Sequence, residues 1–331
     1  MTKRYNFDGK SILVTGGTGS FGKHFIKTIL RDFKPKRVVI YSRDELKQFE
    51  MQSELPQAEH KCLRYFIGDV RDVQRLRTAF RGIDVVVHAA ALKQVPAAEY
   101  NPFECIKTNV HGAENVVTAA IDAGVERVLA LSTDKAASPI NLYGASKLAS
   151  DKIFIAANNL SGADGPTFSV VRYGNVVGSR GSIVPLFRRL VAEGAESLPI
   201  TDDRMTRFWI TLDQGVEFVI SSLDMMRGGE IFVPKIASMK IVDLAAALAP
   251  DIPIKIIGIR PGEKLHETMI TQDDARDTVE LEDRYVIEPS LLFKEDWSSH
   301  STNRVPENFS YSSENNTEWL STAQVLEMID G

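Results

Sequence analysis

Short runs of β-branched and aliphatic residues alternate with longer amphipathic stretches through the first 175 residues of the chain. Residues 11–15, 37–41, 63–67, 84–88, 127–131 and 168–172 are mostly apolar, with apolar residues on consecutive positions, the pattern of strands covered on both faces. Between them, stretches such as 72–80 and 104–123 space their apolar residues at the helical period. Strand and helix in alternation predict right-handed crossovers and an α/β fold built on a doubly wound parallel sheet.

After Asn175 the rhythm breaks. Helical patterns are expected at 185–194, 213–226 and 241–249, with short strands at 230–233 and 254–257. This half reads as a smaller substrate-covering lobe, with some elements returning to the main sheet. The expected division is a dinucleotide-binding domain over 1–178, rejoined by about 209–235, and a lobe over 179–208 and 236–331. Residues 294–317 are rich in Ser, Asn, Glu and Asp and read as a surface excursion before a last amphipathic turn at 319–329.

Composition narrows the classes without naming one. The 331 residues include 44% apolar and 25% charged side chains, ordinary for a chain with a sizeable core. A formal net charge of -5 argues against nucleic acid as a partner. No apolar run approaches the roughly 18 residues of a membrane span, and no apolar signal core follows the basic start, so a cytoplasmic protein with no membrane partner is expected. Cys62 and Cys105 are the only cysteines and offer no disulfide framework. No metal-ligand spacing is present, so no metal is expected.

The loop Thr15-Gly-Gly-Thr-Gly-Ser-Phe-Gly22 follows the first strand and opens a helix. Its glycines at 16, 19 and 22 suit a sharp turn, close approach of backbone to pyrophosphate, and tight packing of helix on strand. The helix start then offers amides and partial positive charge to phosphate, making Gly16, Thr18, Gly19, Ser20, Phe21 and Gly22 a dinucleotide cradle. At the end of the second strand the chain reads Tyr41-Ser-Arg-Asp-Glu-Leu-Lys47. A carboxylate directly at that strand end would bind both ribose hydroxyls and repel a 2′-phosphate. Ser42, Arg43 and Lys47 can instead donate to a phosphate, which favours NADP, while Asp44 keeps NAD open. Asp69 and Val70 fall where adenine is expected, and Ala89 and Ala90 where the nicotinamide ribose comes close. Thr108 and Val176 are further candidates for the cofactor site.

Tyr143-Gly-Ala-Ser-Lys147 puts a phenol and an ammonium on one helix face. The cation is expected to depress the phenol from its usual pKa of about 10, so that it can take a proton from a sugar hydroxyl. Leu131-Ser-Thr-Asp-Lys135 follows the fifth strand, at the carboxyl edge of the sheet where ligands bind. Asp134 and Lys135 there are either an acid–base pair or a structural ion pair.

With these motifs the chain resembles the extended short-chain dehydrogenase/reductases, and more narrowly the inverting UDP-N-acetylglucosamine 4,6-dehydratases that begin pseudaminic acid synthesis. The resemblance extends through Ala-Ala-Ala-Leu-Lys93, Val171-Arg-Tyr-Gly-Asn-Val-Val-Gly-Ser-Arg180, Arg204-Met-Thr-Arg-Phe-Trp209, Arg260-Pro-Gly-Glu-Lys-Leu-His-Glu267 and Tyr311-Ser-Ser to Trp319-Leu. Only the stretch near 292–305 is individual. The resemblance implies that Tyr143, helped by Lys147, oxidises the sugar at C4 with hydride passing to NADP. Lys135, as a neutral amine, then removes the C5 proton, and Asp134, protonated, delivers a proton to the departing C6 hydroxyl. Hydride returns to C6, and a proton reaches C5 on the opposite face. Thr133 orients the C4 oxygen.

The same resemblance puts Asn175 on the substrate, Arg260 on its diphosphate and Glu263 on a uridine ribose hydroxyl. Lys93 reaches a phosphate or the sugar, unless it is only a solvated charge. Thr206 and Arg207 are expected at a lid or an oligomer contact, and a homo-oligomer, a hexamer or a smaller even assembly, is implied. Retaining relatives carry Thr-Asp-Glu where this chain has Thr-Asp-Lys. A sugar-nucleotide C4-epimerase, a retaining 4,6-dehydratase and a redox sensor that binds NADP without turnover remain alternatives.

Overall fold

The computed structural model describes residues 3–162, 164–179, 182–290 and 298–330. The first half is the expected alternation: β1 (Ser11–Thr15), α1 (Ser20–Asp32), β2 (Arg37–Ser42), α2 (Glu45–Glu54), β3 (Leu63–Ile67), α3 (Val73–Ala79) and β4 (Val85–His88). Then follow α4 (Val95–Tyr100), α5 (Pro102–Ile106), α6 (Gly112–Ala123), β5 (Arg127–Thr133), α7 (Leu142–Ser161) and β6 (Thr167–Tyr173). The strands carry apolar residues on consecutive positions because both faces are covered. Ile12 and Val14 pack with Phe25, Ile26 and Ile29 of α1, whereas Leu13 faces the opposite layer with Val116, Phe154 and Phe168.

One departure lies between α5 and α6, where a continuous helix is expected. Residues Lys107–His111 form a π-helical turn, the kind of local widening that often marks a functional site. It carries Thr108 and Asn109.

The second half adds β7 (Asn175–Val176), α8 (Ile183–Ala192), β8 (Leu198–Ile200), β9 (Thr206–Ile210), α9 (Leu212–Met225), β10 (Ile231–Pro234), β11 (Ser238–Lys240), α10 (Ile241–Leu248) and β12 (Ile254–Ile256). It closes with β13 (Thr268–Ile270), α11 (Gln272–Ala275), β14 (Thr278–Glu280), β15 (Arg284–Ile287), β16 (Tyr311–Ser312) and α12 (Thr322–Asp330). The main sheet has the order β3-β2-β1-β4-β5-β6-β10-β15-β14, parallel up to β10 and antiparallel for β15 and β14. The order reverses between β1 and β4, which opens a crevice at the carboxyl ends of those strands. Within the segment 236–331 the hairpin of β14 and β15 thus returns to the main sheet. The lobe has its own core, made by Val184, Phe187, Leu198, Ile200, Trp209, Met239, Leu244 and Val325.

Of the expected surface excursion at 294–317, residues 294–297 lie outside the described ones, and so does Arg180. The described remainder is more deeply anchored than its polar composition suggests: Val305, Tyr311 and Ser313 are buried. His300 Nε2 lies 3.0 Å from Oε1 of Glu230, a fully buried carboxylate. Glu230 also accepts the amides of Arg227 and Gly228 and the hydroxyl of Ser169. These partners tie the turn before β10 to β6 and to the late segment. Burial acts to raise the Glu230 carboxyl, but His300 and Ser169 outweigh it and hold it below the usual range.

Glu230→Ala is therefore expected to lower stability by about 3 kcal/mol, read as a lower denaturant midpoint at unchanged slope. A carboxylate held down in the fold stabilises above its unfolded pKa of about 4.3 and loses that contribution as pH falls through its lower folded value. The wild type should accordingly lose stability in acid more steeply than the variant. Equal midpoints at neutral pH would contradict the assignment.

Candidate active site

The crevice widens into a cleft of about 1330 Å³ between the main sheet and the lobe. All but one of the residues expected at the site line it: Asp134 does not. The cleft begins at the glycine loop. A Cβ at Gly16 would lie 2.9 Å from Ala90 N, and one at Gly22 would lie 2.6 Å from Gly17 Cα. The loop is thus pressed onto the end of β4 and onto the first turn of α1. Gly19 caps α1 without a side-chain hydrogen bond, so no N-cap side chain competes for the amides of that turn.

Thr15 joins the two strand ends that flank the crevice. Its hydroxyl accepts the amides of Ala89 and Ala90 and lies 2.8 Å from His88 Nδ1. Burial and the nearby Lys147 push His88 down to about 3, so its ring is neutral. This histidine is structural, as is Asn109 of the π turn. The Asn109 side chain donates to Leu92 O at 2.9 Å and accepts from Leu92 N at 2.8 Å, fixing the chain that leads to Lys93. Sequence reasoning missed Asn109; a helix interrupted by a π turn leaves little trace in apolar spacing. Thr108 beside it lines the cleft with a buried hydroxyl that has no protein partner. That hydroxyl and the tight glycine loop fit a dinucleotide.

At the end of β2, Ser42 is buried and its hydroxyl lies 2.9 Å from that of Thr18. Asp44 does not occupy the strand end: it caps α2, accepts Lys47 N at 3.0 Å and pairs with Lys47 Nζ at 2.7 Å. Arg43 lies 3.5 Å from Asp69, which Arg71 also grips. Burial works to raise the Asp69 carboxyl, but Arg71 and then Arg43 hold it lower than usual.

Helix α7 and the turn after β5 build the other wall. Tyr143, Lys147 and Asp151 recur every fourth residue along one face of α7. A Cβ at Gly144 would lie 2.2 Å from Lys135 O, so only glycine lets α7 come this close to the single 3₁₀ turn Asp134–Ala136. Thr133 neighbours the Tyr143 phenol and acts to lower its pKa. Thr133 in turn donates to Asp134 Oδ1 at 2.9 Å, and Lys135 Nζ lies 3.1 Å from the same oxygen. Lys135 Nζ also lies 2.9 Å from Glu267 Oε1. A line of polar contacts therefore runs from Thr133 through Asp134 and Lys135 to a second carboxylate.

Two expectations about charge need correction. Burial pushes the Tyr143 phenol up to about 12, and the nearby cation acting to lower it is Lys135 rather than Lys147. Lys147 is itself buried, which lowers its ammonium against the pull of Asp151. Lys135 was expected as a neutral amine. Burial does favour that form, but Asp134 and Glu267 outweigh it and hold the ammonium above the usual lysine range. Asp134, only 1% exposed, lies behind Lys135 and Thr133 instead of touching the cleft.

Behind this wall, Asp151 accepts the Ser132 hydroxyl at 2.6 Å and lies 3.5 Å from Arg172. Burial raises its carboxyl, with Arg172 and Lys147 opposing. Asn175 starts β7, which pairs with β9 where β6 hands the chain to the lobe. Arg260 and Glu263 face each other, 2.9 Å apart. Thr206 and Arg207 are not lid or oligomer contacts: both are buried in β9. Arg207 donates to the carbonyls of Thr206, Lys264 and Leu265, and so shapes the loop that carries Glu263 and Glu267.

Gly22→Ala should weaken binding of a nicotinamide dinucleotide about tenfold or more, roughly 1.4 kcal/mol, because its Cβ would meet backbone. Gly215→Ala in α9, where an added Cβ meets nothing within 4 Å, should leave binding intact and stabilise the helix by about 0.5–1 kcal/mol. Titrations by intrinsic fluorescence distinguish the two, and equal affinities would refute the packing argument.

Comparisons with known proteins agree with this geometry. The family model described as polysaccharide biosynthesis protein matches residues 12–289. An enzyme of Campylobacter jejuni named UDP-N-acetylglucosamine 4,6-dehydratase (inverting) is 58% identical, with 98% of each chain covered. The UDP-glucose 4-epimerase of Rickettsia typhi is 41% identical over 90% of this chain and 93% of its own. Among solved structures, Pen from Bacillus thuringiensis superposes with a TM-score of 0.89 at 36% identity, covering 98% of both chains. The dTDP-glucose 4,6-dehydratase DesIV of Streptomyces venezuelae, solved with NAD, gives 0.68 at 26% identity over 77% of this chain and 86% of its own. The chain belongs to the polysaccharide biosynthesis protein family, on the extended short-chain dehydrogenase/reductase fold, and to the same family as the inverting UDP-N-acetylglucosamine 4,6-dehydratases.

Proposed function

We propose that the protein dehydrates UDP-N-acetylglucosamine across C4, C5 and C6 with inversion at C5, using NADP, and so opens pseudaminic acid synthesis. One observation carries the reading: a lysine amine, hydrogen-bonded between carboxylates, lines the same cleft as the Tyr143 phenol and the glycine loop. A C4-epimerase has no use for such a group beside the phenol. The Rickettsia relatives keep that second reading in view, and the test below separates the two.

A bound nicotinamide supplies the oxidation at C4 and the later reduction at C6. Tyr143 accepts the proton of the C4 hydroxyl, and the nearby cation of Lys135 acts against burial to favour the phenolate. Thr133 holds the C4 oxygen. The ketone formed at C4 acidifies the C5 hydrogen, and Lys135 removes it as a proton. For this the ammonium must first give up a proton. Asp134 is its bonded neighbour, and moving one proton from nitrogen to that carboxylate yields base and acid together without changing the total charge. The acid then supplies the C6 oxygen as it leaves as water. Because Asp134 lies beneath the cleft floor, its proton travels through the hydroxyl or amine bonded to it. A proton added to C5 from the opposite face completes the inversion. Lys93, Asn175, Arg260 and Glu263 hold the nucleotide-sugar, with the Arg260 fork suited to a diphosphate.

NADP is preferred because Ser42, Arg43 and Lys47 surround the ribose end, and the nearby carboxylates are engaged, Asp44 by its helix cap and Lys47, Asp69 by Arg71 and Arg43. Arg43→Ala is expected to weaken NADP binding about tenfold or more while leaving NAD within about threefold, the loss of a charge-assisted hydrogen bond. Equal losses for both dinucleotides would sink the preference.

Turnover of UDP-N-acetylglucosamine in deuterated water, followed by NMR, is expected to give a 6-deoxy-4-keto product with one deuterium at C5 and inverted configuration. Lys135→Ala should keep NADP binding yet stop the elimination. A 4-epimer without solvent deuterium would transfer the protein to the epimerases, and full activity of the variant would remove Lys135 from the mechanism.

A further inference from the structure

Glu267 enters the cleft from the side opposite α7, one residue before β13. Its backbone is pinned in both directions to the segment that follows β16: Glu267 N donates to Ser313 Oγ at 2.9 Å, and Ser313 N donates to Glu267 O at 2.8 Å. The side chain is 1% exposed. Arg207 Nε and Lys264 Nζ stand 3.8 and 3.9 Å from its oxygens, beyond hydrogen-bonding reach. The short contact the carboxylate makes is the ion pair with Lys135, 2.9 Å from Oε1, and its second oxygen, Oε2, accepts no hydrogen bond. Burying a carboxylate in this way is costly, and its geometry serves one atom, the nitrogen of Lys135.

Resting on the reading of Lys135 as the base at C5, we propose that Glu267 is the positioning residue of that base, fixing with Asp134 the rotation of the Lys135 amine so that its remaining direction faces the sugar. A neutral amine has two N–H bonds and one lone pair. With one N–H on Asp134 Oδ1 and the other on Glu267 Oε1, the lone pair takes the third direction. The proton given up in reaching that state breaks an N–H bond and forms an O–H bond on a buried carboxylate. Asp134 Oδ2 and Glu267 Oε2 both lack other hydrogen-bond partners and can hold it. When the amine then takes the C5 hydrogen as a proton, the C–H electron pair stays with the sugar as the enolate of the C4 ketone.

Position and charge act oppositely here, which makes the proposal testable. The charge of Glu267 keeps Lys135 protonated and works against its use as a base, whereas the hydrogen bond aims it. Lys135, Arg207 and Lys264 face Glu267 with positive charge; Asp134, Tyr143 and Glu263 are the next titratable groups around them. His266 and Glu314 are paired with each other at 3.6 Å.

Glu267→Ala is expected to lower kcat about 100-fold, the scale of a misaimed catalytic group, with KM within about threefold and cofactor binding unchanged. Glu267→Gln keeps an oxygen that can accept the amine, and it should retain at least about a tenth of wild-type kcat. Because the negative charge is gone, its pH–kcat profile should move to lower pH by about one unit. Wild-type kcat in the alanine variant overturns the proposal, and so does a glutamine variant as slow as alanine with its pH profile unmoved. Should the alanine variant fail to fold, the glutamine profile alone decides. Lys135→Ala, assayed beside them for C5 deuterium incorporation, separates the two layers. An active lysine variant removes the base itself, whereas an inactive one beside a normal Glu267→Ala removes only the role of Glu267.

Discussion

The site depends on holding a lysine ammonium at the cleft wall between two buried carboxylates that come from distant parts of the chain. Lys135 and Asp134 share the turn after β5, and Glu267 arrives from the lobe. An ammonium buried alone would shed its proton, and a carboxylate buried alone would take one up. Together they keep a charged cluster inside the cleft, and one proton can move within it at far lower cost than any exchange with water. Thr133, which donates to Asp134, carries that cluster toward the Tyr143 phenol.

Helix α7 is the spine of the arrangement. It brings Tyr143, Lys147 and Asp151 to one face, and Gly144 lets its first turn lie against the backbone of Lys135. Asn141, its N-cap, donates from its side chain to Gly262 O at 2.7 Å, and Lys264 reaches back to Ala137 O at 2.6 Å. The loop that carries Arg260, Glu263 and Glu267 is therefore bolted to the start of α7 and the turn before it. Arg207 shapes the same loop from within β9. Movement of the lobe would be felt at the amine of Lys135.

The dinucleotide end relies on close packing instead of charge. Thr15 binds two amides and a neutral histidine, and Asn109 binds both polar groups of Leu92. These contacts set the two strand ends at the switch point close together, with the glycine loop pressed between them. Charged side chains gather at the end of β2, where Arg43 and Lys47 pair with Asp69 and Asp44.

The sequence by itself determined the alternating sheet, the glycine loop and the phenol–lysine face of α7. Each is a local pattern: apolar residues in a doubly covered strand, glycines beside a strand end, and side chains four apart on a helix. Almost every residue it placed at the site does line the cleft. What it could not express was the state of those residues, because burial and partners are settled by neighbours far along the chain. The ammonium form of Lys135, the raised phenol of Tyr143 and the recessed position of Asp134 follow from such neighbours. So does the return of β14 and β15 to the main sheet, since three- and four-residue strands have too few positions to show a period. Glu267 lay unremarked in a polar stretch until the lobe folded over α7 and placed its carboxylate against an amine 132 positions away in the chain.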